Sequence, residues 1–517
     1  MRACVTACLI ASATVVSDPA AAQTVTLRAT EGGLEVTGQI LGFDGEYYRV
    51  ATEYGELTLD GSRVTCAGES CPDPTAFVPT FTISGADSTG EILFPALIDA
   101  FAARQTLTTA RRDTVTGFAV TLSDPNLDRE ILTIEVRRTP AGEGFAELVE
   151  QGADAVASFR EPTDDERESL ETIGLGQNSD SGASRIFALD ALTSIAARSN
   201  PVVATTLADL AGVLSGDITN WTAFGGADRP ISVHLIENGE FDALLRVHIL
   251  DPFDVSLTSD VVRHPDWDAL LEAISADPDS LAVAPYSKTR QVRRHALVGT
   301  CGHVAEPSLA SLKSEDFPLT QPHFLFVPEG RRVPRPARQF LDYLQSPFAQ
   351  PVVRRAGFVD QAPLRIPLSE QGLRLARAIE NAGPEIGVSD LRRLVGGLTD
   401  AERLTTTFRF LDGSVDLDAQ SRSNIGLLAA AVDRGTYNGQ TLVFAGFSDG
   451  VGGASENQRL SLRRAEAVLE AVRDAAGPGN LPRIRFVAEG YGEAMPLACD
   501  EDYWGRHVNR RVEVWLR

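Results

Sequence analysis

The sequence predicts a multidomain chain: a small all-β module, a large α/β domain and a C-terminal α+β domain. Three observations predict it. At 517 residues the chain is long enough for about three domains. Short alternating runs between glycine turns fill its first stretch, and strand-like and helix-like segments alternate after them. Near its end, Gly446-Phe447-Ser448-Asp449 and Asn509-Arg510-Arg511 bracket a basic amphipathic helix.

Residues 1–22 read as a cleavable secretory leader. Arg2 gives the positive start, Cys4 to Val16 the short apolar core, and Ala20-Ala21-Ala22 the small-residue cleavage site. Val5-Thr6-Ala7-Cys8 imitates a lipoprotein box, but too few residues precede it to make an apolar core. The mature chain is therefore expected to start near Gln23 and to lie in the periplasm. No later stretch reaches the ~18 apolar residues of a membrane helix.

Residues 23–75 hold four strand-like runs, starting at Val25, Leu34, Tyr47 and Glu56. Turns at Gly32-Gly33, Asp44-Gly45 and Asp60-Gly61 separate them, which predicts a small β-barrel or β-roll of SH3-like type. In an oxidising compartment Cys66 and Cys71 are expected to bridge across Ala-Gly-Glu-Ser. For Cys301 and Cys499, spacing leaves both a bridge between domains and two buried thiols open.

Over residues 76–365 the strand ending in Phe81-Thr82-Ile83-Ser84 runs through Gly85-Ala86-Asp87-Ser88-Thr89-Gly90 into a helix expected from Ile92 to Ala103. A small-residue loop of that kind presents N–H groups to an anion. Ser158-Phe159-Arg160, Asn200-Pro201-Val202 and Leu214-Ser215-Gly216-Asp217-Ile218-Thr219-Asn220-Trp221 follow. In order and wording these strings resemble the phosphate-type periplasmic substrate-binding proteins. The resemblance implies two α/β lobes around a ligand cleft, with lobe two at roughly Ala188 to Pro285. It also implies cleft contacts from Ser84, Asp87, Ser88, Thr89, Arg160, His234, Asn238 and Gly239. The family's anion ligands are depleted, however. Where it has an Arg and then a Ser-Gly-Thr string, this chain reads His234 and Asn238-Gly239-Glu240, and the earlier glycine loop reads Ala141-Gly142-Glu143-Gly144. The fixed charge and three hydroxyls are gone, and two carboxylates arrive, so poor phosphate binding is expected.

Residues 366–402 read as a helical linker, with helices over Glu370–Asn381 and Ser389–Leu394 punctuated by Pro367, Gly383-Pro384 and Gly396-Gly397. In residues 403–517, Leu442-Val443-Phe444-Ala445 is an apolar run that reads as a buried strand. Ser455 and Gln458 have capping-box spacing at the start of the next helix. Ala465, Val468, Leu469 and Val472 make its core stripe, and Asn457, Ser461 and Arg464 share a neighbouring face. Together with Phe408-Arg409-Phe410, Gly490-Tyr491-Gly492-Glu493 and Asn509-Arg510-Arg511-Val512-Glu513-Val514, this segment resembles the OmpA-like peptidoglycan-binding domain. The resemblance implies that Asp449 and Arg464 bind diaminopimelate of the wall peptide, with Ser448, Asn457, Asn509 and Arg510 around them. The chemistry is direct: Asp449 pairs an ammonium and Arg464 clamps a carboxylate bidentately. Of Arg510 and Arg511, one is expected to support the site and the other to pair with a surface acid. The turn departs from the family's His-Thr by reading Phe447-Ser448.

A formal charge of −24 argues against nucleic acid and anionic membranes as partners. From Ala401 to Arg517 there are 14 basic and 16 acidic residues, so the excess lies upstream of the wall module. No metal-ligand string or cofactor motif occurs. The expected protein is a non-enzymatic envelope protein, periplasmic and associated with peptidoglycan and the outer membrane. It binds peptidoglycan and carries a cleft for a small molecule or a docking face for an envelope protein. Two alternatives are a solute-binding component of an ABC transporter and a serine hydrolase using Ser448. Gly446-Phe447-Ser448-Asp449-Gly450 fits a G-x-S-x-G elbow, but that elbow needs a helix starting at the serine.

Overall fold

The computed structural model describes residues 24–73, 77–173, 184–328, 332–380, 385–411, 414, 416–502 and 504–517. The expected leader lies outside them. In the first module β1 (Thr24–Ala29), β2 (Glu35–Phe43), β3 (Tyr47–Thr52), β4 (Gly55–Asp60) and β5 (Val64–Ala67) form one antiparallel sheet in the order β4-β3-β2-β1-β5. Alternation places Val25 and Leu27 of β1 with Tyr48 and Val50 of β3 in a single small core. Gly45 and Gly55 take the positive φ that their turns need. The sequence reading missed β5, which is only four residues long. It brings Cys66 to Cys71, and the two are bridged at a Cα separation of 5.7 Å. Glu46 pairs with Arg338 at 2.7 Å and so fastens this module to the next domain.

The α/β domain has two lobes. Lobe one pairs strand Thr80–Ser84 in parallel with Ala155–Ser158 and Arg129–Arg137, then continues through Gly117–Asp124 to Thr108–Asp113. Its helix after the small-residue loop spans Leu93–Arg104, and it buries Leu93, Phe94, Leu97, Ile98 and Phe101. Lobe two pairs Ser232–Ile236 in parallel with Val262–His264 and Ser280–Pro285. One strand, Ser184–Ala196, serves both sheets. Up to Ala191 it pairs with Thr320–Phe326, and from Leu192 it pairs with Ser280–Pro285. The passage between the lobes therefore lies at Ala191-Leu192, slightly beyond the Ala188 expected from sequence. A further segment hangs on lobe two, where Ala296–Val298 pairs with Ala204–Thr205.

In the C-terminal domain the sheet order is Arg365–Pro367, Glu402–Arg409, Arg511–Leu516, Thr441–Phe447, Arg485–Gly490. Helices Ala419–Asp433 and Ala454–Ala475 cover one face, where Leu442 and Phe444 meet Val468 and Val472. The other face takes Val443, Ala445 and Phe447 against Ala378, Leu394 and Leu398 of helices Gly372–Glu380 and Val388–Leu398. This explains the uninterrupted apolar run, because the strand is covered on both sides. The segment read as a linker is thus a packed layer of the domain. The expected capping box is corrected: the helix starts at Ala454 behind Gly453, which has no side-chain cap. Ser455 lies inside the helix, and Gln458 donates to the Gly490 carbonyl instead. The Ala454 N–H is received by Glu385 at 2.8 Å.

The second and third domains are joined by more than chain connectivity. Cys301, beyond the strand Ala296–Val298, is bridged to Cys499, 198 residues later. Beside it Thr300 donates to Asp502.

Candidate functional site

Two glycines let the long helix lie directly on the sheet. A Cβ at Gly446 would sit 2.0 Å from the Ser461 carbonyl oxygen, and one at Gly490 would sit 2.6 Å from the Leu462 nitrogen. Helix and strand end therefore meet closely, and the Ser448-Asp449 turn stands beside Arg464.

Arg464 is 2% exposed. Its Nη2 donates to the Ser414 carbonyl at 2.9 Å, and its guanidinium sits 4.8 Å above the Phe410 ring. Nε and Nη1 have no hydrogen-bond partner among the described residues, and neither have Ser448 Oγ and Asn457 Nδ2. Burial, then the neighbouring Arg510, lowers the Arg464 pKa, while Asp449 acts the other way. A guanidinium stays charged even so, so a buried cation presents unfilled donors.

Asp449 completes the opposite charge. Its Oδ2 accepts from Arg510 Nη1 at 3.0 Å and its Oδ1 from the Val451 N–H at 3.3 Å. More acid surrounds it. Asp500 receives the Gly450 N–H at 2.8 Å. Glu493 has its pKa raised, first by burial and then by Glu385, Asp500 and Asp449. A sunken guanidinium under an acidic mouth suits a zwitterion with its carboxylate inward and its ammonium outward.

The other residues named from the sequence divide. Arg510 meets Asp449, whereas Arg511 is fully buried and pairs with the buried Glu513 at 2.7 Å, not with a surface acid. Asn509 spends its amide on structure: it accepts from the Leu497 and Ala498 N–H groups and donates to the Ala498 carbonyl and to Asp500. Glu493 stood in a motif string and was legible in principle. Glu385 and Ser414 carried no local signal. As for a nucleophile elbow, the helix begins at Ala454, well after Ser448.

Between the lobes lies a cleft of about 360 Å³. Asp87, Ser88 and Asn238 line it, and Asn238 Nδ2 donates to Asp87 across the lobes at 3.0 Å. Ser84, Thr89, Arg160, His234 and Gly239 are not among its lining residues. Ser84 shares a hydrogen bond with Thr139 and Thr89 is buried. Arg160 is held bidentately by Glu166 at 2.7 and 2.8 Å. His234 stacks on His264, with 2.9 Å between ring nitrogens, and Gly239 opens a helix. Glu240 Oε1 receives the Ala141 N–H at 2.9 Å, at the start of the lobe-one helix Ala141–Val149. A carboxylate of lobe two thus occupies the helix N-terminus where an anion would dock. Among the described residues no group of three His, Cys, Asp or Glu could hold a metal, and no helix is long and apolar enough to cross a membrane.

The OmpA family matches residues 409–510, and a PBP superfamily domain matches residues 78–243. Outer membrane porin F of Pseudomonas fluorescens is 41% identical over 79 residues, which is 15% of this chain and 23% of that protein. The outer-membrane lipoprotein YfiB of Pseudomonas aeruginosa is 34% identical over 88 residues, which is 17% of this chain and 46% of that protein. The chain thus spans less than half the length of these curated relatives. Among solved structures, an ABC-type phosphate transport receptor from Vibrio cholerae aligns with a TM-score of 0.42 and 16% identity, covering 54% of this chain and 99% of that one. PstS from Borrelia burgdorferi aligns with a TM-score of 0.38 and 16% identity, covering 54% and 98%. The chain carries an OmpA-family domain at its C-terminus, fused to a PBP-superfamily domain that precedes it.

Proposed function

We propose that this protein is a non-enzymatic envelope protein, periplasmic and associated with peptidoglycan and the outer membrane. It is moored to diaminopimelate-type peptidoglycan and holds its two-lobed domain beside the wall as a ligand-binding module. One observation carries the mooring: Arg464 is buried, with two donors unfilled among the described residues, next to Asp449. The free end of diaminopimelate bears one carboxylate and one ammonium at a single carbon, which matches that pair of charges in sign. Arg464 takes the carboxylate, Asp449 shares the ammonium with the surrounding acids, and Ser448 and Asn457 offer neutral hydrogen bonds.

The test is co-sedimentation of the full chain with diaminopimelate-type peptidoglycan. Asp449→Ala and Arg464→Ala each remove a charge-assisted clamp of about 1.5–3 kcal/mol, roughly a ten- to 150-fold loss of affinity. Arg464→Lys, which keeps the charge but not the fork, controls for folding and should also bind weakly. Equal sedimentation of the wild type and all three variants sinks the assignment.

A further inference from the structure

The cleft between the lobes is built for positive charge. Asp87, Glu91, Glu237, Glu240, Asp266 and Asp268 stand on its wall, against Arg138 and Lys288. Lys288 is engaged by Glu91 at 3.3 Å. The N-terminus of the lobe-one helix Ala141–Val149 is filled across the lobes by Glu240. Between the acids stand aromatic rings. Phe241 and Trp267 meet edge to face at 5.1 Å, and Phe159 and Phe358 also line the space. His323 lines it too; it is 4% exposed, and its Nε2 has no hydrogen-bond partner among the described residues. Burial pushes the His323 pKa down to about 4, so the ring is neutral at physiological pH.

We propose that this cleft binds an organic ammonium ion with an apolar body, its charge met by the wall acids and its body seated against Phe241 and Trp267. This rests on reading the domain as a ligand-binding module. Anionic side chains attract the cation, and aromatic faces add to the attraction once water is excluded. The neutral His323 serves a polar group of the ligand. The same acids repel a phosphate dianion, whose docking place is already taken.

Calorimetric titration of the full chain at neutral pH tests this with three probes: phenethylammonium, 3-phenylpropionate and inorganic phosphate. The amine should bind at least about tenfold more tightly than the carboxylate, one decade of affinity being the smallest clear preference, and phosphate should give no saturable heat. The double variant Glu237→Gln/Asp268→Asn should weaken the amine several-fold while its melting temperature stays near that of the wild type. Trp267→Ala should weaken it as well. Preference for the carboxylate or phosphate, no heat from the amine at millimolar concentration, or unchanged affinity in the double variant each overturns the proposal. The same preparation is sedimented with peptidoglycan in parallel. A silent cleft with intact wall binding defeats this inference alone, and an occupied cleft without wall binding defeats the mooring alone.

Discussion

Asp316 of the two-lobed domain lies 2.8 Å from Nη1 of Arg403, on the first long strand of the C-terminal domain. Arg409, six residues further along the same strand, reaches the same carboxylate at 3.3 Å. Burial works against the Asp316 anion, yet Arg403 and Arg409 hold its pKa below the ordinary value. Behind them Glu513 receives Arg374, Arg403 and Arg511; Glu513, Arg403 and Arg511 are buried and Arg374 is partly exposed. This ionic cluster is the seam between the two domains.

Removing Asp316 leaves two buried guanidiniums short of a counter-charge. Asp316→Ala should lower stability by about 3–5 kcal/mol, the usual range for breaking one side of a buried pair. Urea denaturation measures this, and a loss below ~1 kcal/mol would show that the seam is not ionic in origin.

Opening the Cys301–Cys499 bridge should lower stability by about 2–5 kcal/mol, because it closes a very long loop in the unfolded chain. Its separation is 198 residues, against five for Cys66–Cys71. Calorimetric melting of Cys301→Ser/Cys499→Ser beside Cys66→Ser/Cys71→Ser checks the order. The long bridge should matter more to the domains it joins, and the short one to the β module alone.

Ser448→Ala should weaken wall binding by only about 0.5–1.5 kcal/mol, since one neutral hydrogen bond is at stake. Sedimentation isotherms for this variant and Asp449→Ala should separate clearly. A Ser448→Ala loss as large as that of Asp449→Ala would transfer the main role to the hydroxyl.

Glu240 gives a pH dependence. Burial, with Asp87 adding to it, pushes its pKa up to about 7 from 4.5, while the Ala141 N–H and Arg160 pull the other way. The folded protein therefore favours the protonated acid. That stabilisation is complete below about pH 4.5 and is lost as pH rises through about 7. Glu240→Gln keeps an acceptor for the Ala141 N–H and removes the charge. It should raise stability by about 1–2 kcal/mol near pH 8 and make little difference near pH 4.5. Denaturation curves at both pH values test the sign, and a variant less stable than wild type near pH 8 refutes it.

Much of the fold was legible because its signals are local. Alternation in β1 and β3, the doubly covered run Leu442 to Phe447 and the stripe Ala465 to Val472 each follow from periods of two or 3.6 residues. The Asp449–Arg464 pair was legible as a motif. What stayed hidden joins distant positions. The Glu240–Ala141 contact spans 99 residues and the Asp316–Arg403 pair spans 87, and no periodicity encodes either. Helices Gly372–Glu380 and Val388–Leu398 read as a linker because glycine and proline punctuate them, and their burial appears only once the sheet face beneath them is known.

The single strand shared by the lobes is also where the neighbouring domains are tied in. The sulfur bridge holds the C-terminal domain to the segment hung on lobe two, the Asp316 seam holds it just ahead of the return strand Thr320–Phe326, and Val359 on Leu189 holds the chain that enters it to the lobe-one half of the strand. Glu46–Arg338 fixes the β module to lobe one. The C-terminal domain therefore straddles the joint, and a movement of one lobe against the other has to work against its ties as well as across the cleft.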